Sequence, residues 1–238
     1  MTSRGQARPD DLHEGASACG GADVSERGCV LFDFDGTLAD TRPAIVDTAE
    51  RVLSDWGLSA DQIGDAGRLV GPPFPAAFSM VYGFSEADAV EITRRYREIY
   101  NALGPESHPL FEGMSDVLED LRRAGRRLAV TTSKLQTMAL RMLADDCVLD
   151  LFDEVVGQTD PARADKASLV ADTLDRLGTT ADDAVMVGDR FYDVEGAHAN
   201  GMPCICVLFG TATRGELERA GAAAIATTAG ELSHILVE

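Results

Sequence analysis

Lysine is nearly missing from this chain. Of 21 basic residues among 238, two are lysine, Lys134 and Lys166, and the rest arginine, set against 40 Asp and Glu. The formal charge of −19 repels polyphosphate, so nucleic acid and anionic membrane surfaces are poor partners. Small anions stay admissible where a metal ion or a local cation reverses the field. Paired thiols are missing as well. Cys19, Cys29, Cys147, Cys204 and Cys206 are scattered, with no CxxC, which argues against a disulfide framework and for reduced thiols in a cytosolic compartment. No run approaches 18 uninterrupted apolar residues, so no helix is expected to cross a membrane. No apolar segment near the N-terminus resembles a secretory signal. A cytoplasmic protein is the expectation. The histidines (His13, His108, His198, His234) show no metal-ligand spacing, and no Gly-rich ATP-binding loop is present.

The apolar residues that are present fall into a pattern. Residues 1–28, rich in Gly, Ala, Ser and charge, are expected to form a disordered tail. Order is expected from Cys29-Val30-Leu31-Phe32, a continuous apolar run suited to a strand buried on both faces. Similar runs recur at Leu128–Val130, Val155-Val156, Ala184–Val187 and Ile205–Leu208. Between them lie helical periods that stop at Gly125 and Gly178. Thr213-x-x-Glu216 and Thr228-x-x-Glu231 read as capping boxes. Strands alternating with helices predict an α/β fold built on a doubly wound parallel sheet. Residues 42–109 interrupt that alternation with two helical stripes. One runs from Ile45 to Trp56 and closes at Gly57; the other runs from Ala89 to Leu103 and opens at Ser85-x-x-Asp88. They form a helical insertion after the first strand, with Gly104-Pro105 and Pro109 as its return hinge, leaving 29–41 and 110–238 as the core.

Ligands of an open parallel sheet bind beyond the carboxyl ends of its strands. The first strand ends Asp33-Phe34-Asp35-Gly36-Thr37-Leu38, and the run to Val187 ends Gly188-Asp189-Arg190-Phe191-Tyr192-Asp193. Asp33, Asp35 and Asp189 are expected together around one ion, because close ionised carboxylates without a cation are costly. Oxygen donors with no His or Cys cluster select Mg²⁺. The run Leu128–Val130 leads into Thr131-Thr132-Ser133-Lys134, expected at a helix N-terminus as a phosphate cradle. Lys166 opens a helix where the dipole disfavours a cation, which points to a function.

These residues resemble the haloacid dehalogenase-like superfamily. Asp33 to Leu38 is similar to its motif I, Thr132 after an apolar strand to motif II, Lys166 to motif III and Gly188-Asp189-x-x-x-Asp193 to motif IV. The run through Gly196-Ala197 and Asn200-Gly201 is similar to the phosphoglycolate phosphatase-like branch, and Arg163 matches it loosely. The resemblance implies a Rossmann-like core with a helical cap and a Mg²⁺-dependent phosphatase acting on a small phosphorylated metabolite. Asp33 would be the nucleophile, forming an aspartyl-phosphate. Asp35 would be acid and then base, its carbonyl also ligating Mg²⁺. Thr132 and Lys166 would hold the phosphoryl oxygens, with Thr131 and Ser133 as neighbouring candidates. Asp189 would bind Mg²⁺, with Asp193 at the metal site orienting a metal water or Lys166. Gly36, Ser133, Gly71 and Arg190 are candidate substrate contacts, Gly71 because Gly71-Pro72-Pro73-Phe74 resembles the cap's specificity loop. Arg42 and Arg68 are candidates for an anionic leaving group, and Lys134 has a looser family role. Asp35 argues against carbon–halogen and phosphonate cleavage. A 5′-nucleotidase specificity, a phosphotransferase similar to actinobacterial tyrosine kinases, and a silent binding module are the alternatives.

Overall fold

The computed structural model describes residues 24–160 and 165–237. Most of the expected tail, and Arg163, lie outside the described residues. Residues 24–28 correct the tail's boundary. Val24–Glu26 is a 3-10 turn, and Arg27 is buried with its guanidinium donating to Ala181 O at 2.8 Å and Ala184 O at 2.9 Å. Composition alone does not register such a tether.

Six parallel strands form one sheet: β1 (Cys29–Phe32), β2 (Arg127–Leu135), β3 (Glu154–Gln158), β4 (Ala184–Gly188), β5 (Cys204–Val207) and β6 (Ala224–Ala226), in the order β3-β2-β1-β4-β5-β6. The strand order reverses between β1 and β4, the switch point where doubly wound sheets bind ligands. Successive side chains of a strand face opposite sides. Val30 and Phe32 therefore join the layer that holds α5 (Met114–Arg123), α6 (Gln136–Asp145) and α10 (Ala229–Val237). Cys29 and Leu31 join the layer that holds α7 (Lys166–Leu177), α8 (Phe191–Ala199) and α9 (Arg214–Ala220). All four β1 side chains are buried, each large one stabilising the sheet by about 1.5–3 kcal/mol. Cys204 and Cys206 are buried residues of β5. Strand β6, Ala-Ile-Ala, carries too little apolar pattern to be read from sequence.

Between β1 and α5 the chain forms α1 (Arg42–Trp56), α2 (Ala60–Ile63), α3 (Ala76–Tyr82) and α4 (Glu86–Tyr100). Gly57 ends α1 in the left-handed conformation, and Ser85 caps α4 by accepting the Asp88 N–H at 3.1 Å. The insertion leaves and returns side by side. Ala39 pairs antiparallel with Leu110, Asp40 N–H donates to Pro109 O at 2.8 Å, and Phe111 N–H donates to Leu38 O at 3.0 Å. Among the described residues no helix is long and apolar enough to cross a membrane.

Candidate active site

Phe32 stands in register with Val130 of β2 and Val187 of β4. The next residues, Asp33, Thr131 and Gly188, therefore emerge at one level at the switch point. After Asp33 the chain turns at once: the Phe34 carbonyl accepts from Leu38 N–H at 3.0 Å and Ala39 N–H at 3.1 Å. Gly36 sits in that turn at φ 79°, and a Cβ there would lie 2.8 Å from Asp189 Cγ. Glycine is required both by the conformation and by the close approach.

The turn separates the two aspartates of the motif. Asp35 Oδ1 lies 2.9 Å from Lys134 Nζ. The carboxylates that converge are those of Asp33, Asp189 and Asp193, each offering an oxygen within 4.8 Å of the others. The expected grouping of the Asp35 carboxylate with Asp33 and Asp189 is thus corrected. The spacing argument assumes that the strand continues, whereas β1 ends at Phe32.

Lys166, buried at the start of α7, reaches into this cluster. Its Nζ lies 2.9 Å from Asp33 Oδ1 and 2.8 Å from Asp193 Oδ1, and it donates to Thr131 O at 3.1 Å. Asp193 is fully engaged, since its Oδ2 accepts the N–H groups of Asp189 at 3.1 Å and Arg190 at 3.0 Å. Gly196 of α8 leaves room for the lysine stem, because a Cβ would sit 2.9 Å from Lys166 Cβ. Asp189 Oδ2 accepts from the N–H of Thr211 at 2.7 Å and from its hydroxyl at 2.6 Å.

The electrostatics follow from this crowding. Burial pushes the Asp33 carboxyl up to about 6, against the pull of Lys166 and with a further push from Asp193 and Asp35. Burial, with Asp193 adding to it, raises Asp189 to about 7 despite the Thr211 hydrogen bonds. Burial disfavours the Lys166 ammonium, but Asp193 and Asp33 outweigh it and hold the pKa above its ordinary value. Three carboxylates thus crowd together beside one ammonium, which pairs with two of them. The deficit of positive charge and the hard oxygen donors fit a divalent cation of the Mg²⁺ type.

Strand β2 continues through Leu135, with an irregular register on β3 between Thr131 and Leu135. The expected helix N-terminus at Thr131–Lys134 is therefore corrected: the hydroxyls lie on the strand end, and α6 starts after them. Thr131 Oγ1 is hydrogen-bonded to Thr173 Oγ1 of α7 at 2.9 Å, whereas Thr132 Oγ1 accepts Lys134 N–H at 3.2 Å. Lys134 is buried, with Nζ 5.0 Å from the Tyr100 ring centroid. Burial disfavours its charge, but Asp35 and Tyr100 more than compensate, so its pKa is raised.

A pocket of about 70 Å³ separates the sheet end from the helical insertion; Asp35, Ser133 and Lys134 line it from the core, and Gly71, Phe74, Tyr96 and Tyr100 from the insertion. Arg190 straps the two parts together, its Nη1 donating to Val70 O at 2.8 Å and its Nε to Glu216 Oε1 at 2.9 Å. Arg42 and Arg68 are not among the residues lining the pocket. Arg42 lies 3.8 Å from Asp65, and Arg68 Nε donates to Asp65 O at 3.1 Å. The expectation that they face the leaving group is corrected; the insertion's arginine in the pocket wall is Arg97. Thr211, Tyr100, Arg97 and Gln158 are absent from the sequence-level candidates. Thr211 had a signal, since it follows the apolar run to Leu208 at a strand end.

The sheet order, the switch-point carboxylates and the buried lysine define a hydrolase built on a Rossmann-like parallel sheet, and residues 30–207 match the family described as haloacid dehalogenase-like hydrolase. The chain belongs to that family. It is 35% identical over 190 residues to a 5′-nucleotidase of Pseudomonas aeruginosa, covering 79% of this chain and 86% of that protein. It is 37% identical over 182 residues to tyrosine-protein kinase PtkA of Mycobacterium tuberculosis, covering 76% of this chain and 62% of that protein. A phosphoglycolate phosphatase of Caulobacter vibrioides is 32% identical over 188 residues, covering 76% of this chain and 79% of that protein. The crystal structure of a predicted phosphatase from Clostridium acetobutylicum superposes with a TM-score of 0.83 at 32% identity, covering 88% of this chain and 98% of that one.

Proposed function

We propose that this chain is a Mg²⁺-dependent phosphatase of small phosphate monoesters, phosphoglycolate phosphatase-like, working through an aspartyl-phosphate. The observation that carries the reading is the pairing of buried Asp33 with Lys166 beside Asp189 at the switch point. Asp33 and Asp189, with the carbonyl of Asp35, would hold the metal, which supplies charge neutralisation at the phosphoryl group. Asp193 acts through its partners: one oxygen fixes Lys166, and the other fixes the backbone that presents Asp189.

Asp33 attacks phosphorus through a carboxylate oxygen, and the P–O bond to the alcohol breaks. Asp35 delivers a proton to the departing oxygen, then takes one from the water that attacks the acyl phosphate, so one group acts as acid and then as base. Lys134 holds Asp35 apart from the carboxylate cluster. Lys166 and the Thr132 hydroxyl stabilise the transferring oxygens; commitment of the Thr131 hydroxyl to Thr173 favours Thr132 over its neighbour. The insertion, residues 42–109, serves as a cap that excludes water during transfer. Gly71 and Ser133 face the leaving group from opposite walls, Gly36 lets Asp189 approach the nucleophile, and Arg190 holds the cap loop closed.

The test is phosphate release from a phosphomonoester panel with Mg²⁺, wild type beside Asp33→Asn. Turnover is expected to vanish in the variant, and equal turnover by both proteins refutes the reading. The likeness to PtkA favours a second reading, phosphoryl transfer to tyrosine. It predicts label passing from radiolabelled ATP to protein, where the phosphatase predicts free phosphate alone.

A further inference from the structure

One end of the pocket holds a cation that the hydrolytic chemistry does not use. Arg97 of α4 lines the wall together with Gln158, the last residue of β3. Among the described residues Arg97 makes no ion pair. Its side-chain hydrogen bond is a long one, 3.5 Å from Nη2 to Gln158 Oε1. Neighbouring arginines of α4 behave differently: Arg94 pairs with Glu91 and Glu98, and Arg95 with Glu91, with both arginines exposed. Burial lowers the pKa of Arg97, with no carboxylate acting against it. In a chain with 40 acidic residues to 21 basic ones, a half-buried guanidinium without an anion is out of keeping, and such a charge is costly until paired.

The surroundings hold the group in place. Gln158 is buried and its Nε2 donates to Phe74 O at 3.3 Å, which leaves Oε1 for the guanidinium. The remaining wall is apolar and aromatic, with Tyr96 and Tyr100 stacked at 5.3 Å. Lys134, the other cation of the pocket, already has Asp35 as its counter-charge. No anion among the described residues pairs with Arg97, so the pocket has a place for one on a ligand.

We propose that Arg97 is a specificity-determining residue that receives an anionic group, a carboxylate or a second phosphate, on the alcohol half of the substrate, with Gln158 fixing the guanidinium. This rests on the phosphatase reading and narrows its substrate class to short monoesters carrying a second anion. A guanidinium presents two parallel N–H donors to such a group, a geometry an ammonium lacks.

The test uses matched esters: 3-phosphoglycerate against glycerol 1-phosphate, and propanediol bisphosphate against propanediol monophosphate. Wild type is expected to favour the doubly anionic member of at least one pair, and which pair responds separates carboxylate from phosphate recognition. Arg97→Ala is expected to raise KM for that member about ten-fold more than for its partner, as loss of a charge-assisted hydrogen bond implies. Arg97→Lys recovers part of the ratio, and Arg94→Ala, on the exposed face, leaves it unchanged. Calorimetric Kd values on Asp33→Asn, with and without Arg97→Ala, read the same ratio without turnover. A ratio unchanged by Arg97→Ala in both kinetics and binding overturns the proposal. Full turnover by Asp33→Asn overturns the phosphatase reading instead, and the binding ratio still decides Arg97.

Discussion

Two aspartates separated by a single residue have different surroundings. Asp33 faces Lys166 and the carboxylate cluster, while Asp35 faces Lys134 and the pocket. Asp35→Asn is expected to lower kcat for alkyl phosphates by about 100-fold or more, in the range of general acid–base catalysis. Departure of p-nitrophenolate needs no proton, so with that ester the variant should give a burst of one product equivalent and then stall. Rapid-mixing absorbance at the phenolate band checks this; steady turnover without a burst would argue against Asp35 as the base. Asp146 gives a separate, pH-dependent case. Burial, with Asp145 beside it, raises its carboxyl from the ordinary 3.8 to about 6, at the C-terminal end of α6. A raised pKa means that the folded state favours the protonated form, so this stability is present below 3.8 and lost as pH rises through 6. Asp146→Asn should therefore raise Tm relative to wild type at pH 8, with the gap closing toward pH 4 in calorimetric scans.

Among the elements, those with a strong period or a cap are legible in the sequence. Ser85 and Thr213 cap helices as their spacing to Asp88 and Glu216 predicts, and Gly57 and Gly178 end them. Thr213→Ala is expected to destabilise the protein by about 1 kcal/mol in urea unfolding. Strand ends were less legible. Continuation of β2 to Leu135 and the turn at Gly36 depend on long-range pairing and on Asp189 beside the glycine, which no local window contains. Lys166 and Asp189 declared themselves by position, whereas Arg97 was hidden inside a helical stripe read only for packing. The lack of an ion pair for it among the described residues is a property of the assembled pocket, not of any local window. At the α7–α8 contact, Gly196→Ala should push the Lys166 stem aside and lower kcat while the far-UV circular dichroism stays near wild type. Unaltered kcat would show that the lysine has slack.

At the scale of the molecule, the −19 charge repels the anions that Lys166 and Lys134 attract locally. Under the proposed function, an anionic ester approaches through a repulsive field before it reaches the site. Raising ionic strength from about 0.01 to about 0.15 M shortens the screening length from about 30 to about 8 Å. At saturating Mg²⁺, kcat/KM for a phosphate ester is expected to rise over that range; a fall would mean that the site's own positive field dominates encounter. Chelation is expected to lower Tm, and Mg²⁺ to restore it, since a bound cation relieves the crowding of Asp33, Asp189 and Asp193.

The paired linkers at Ala39 and Leu110 have a consequence for how such a chain can be remade. Their backbones lie one bridge apart, about 5 Å, so everything between them hangs from the sheet like a bracelet closed by one clasp. A graft that keeps Leu38–Asp40 and Pro109–Phe111 meets the core at the same two points whatever its length or internal design.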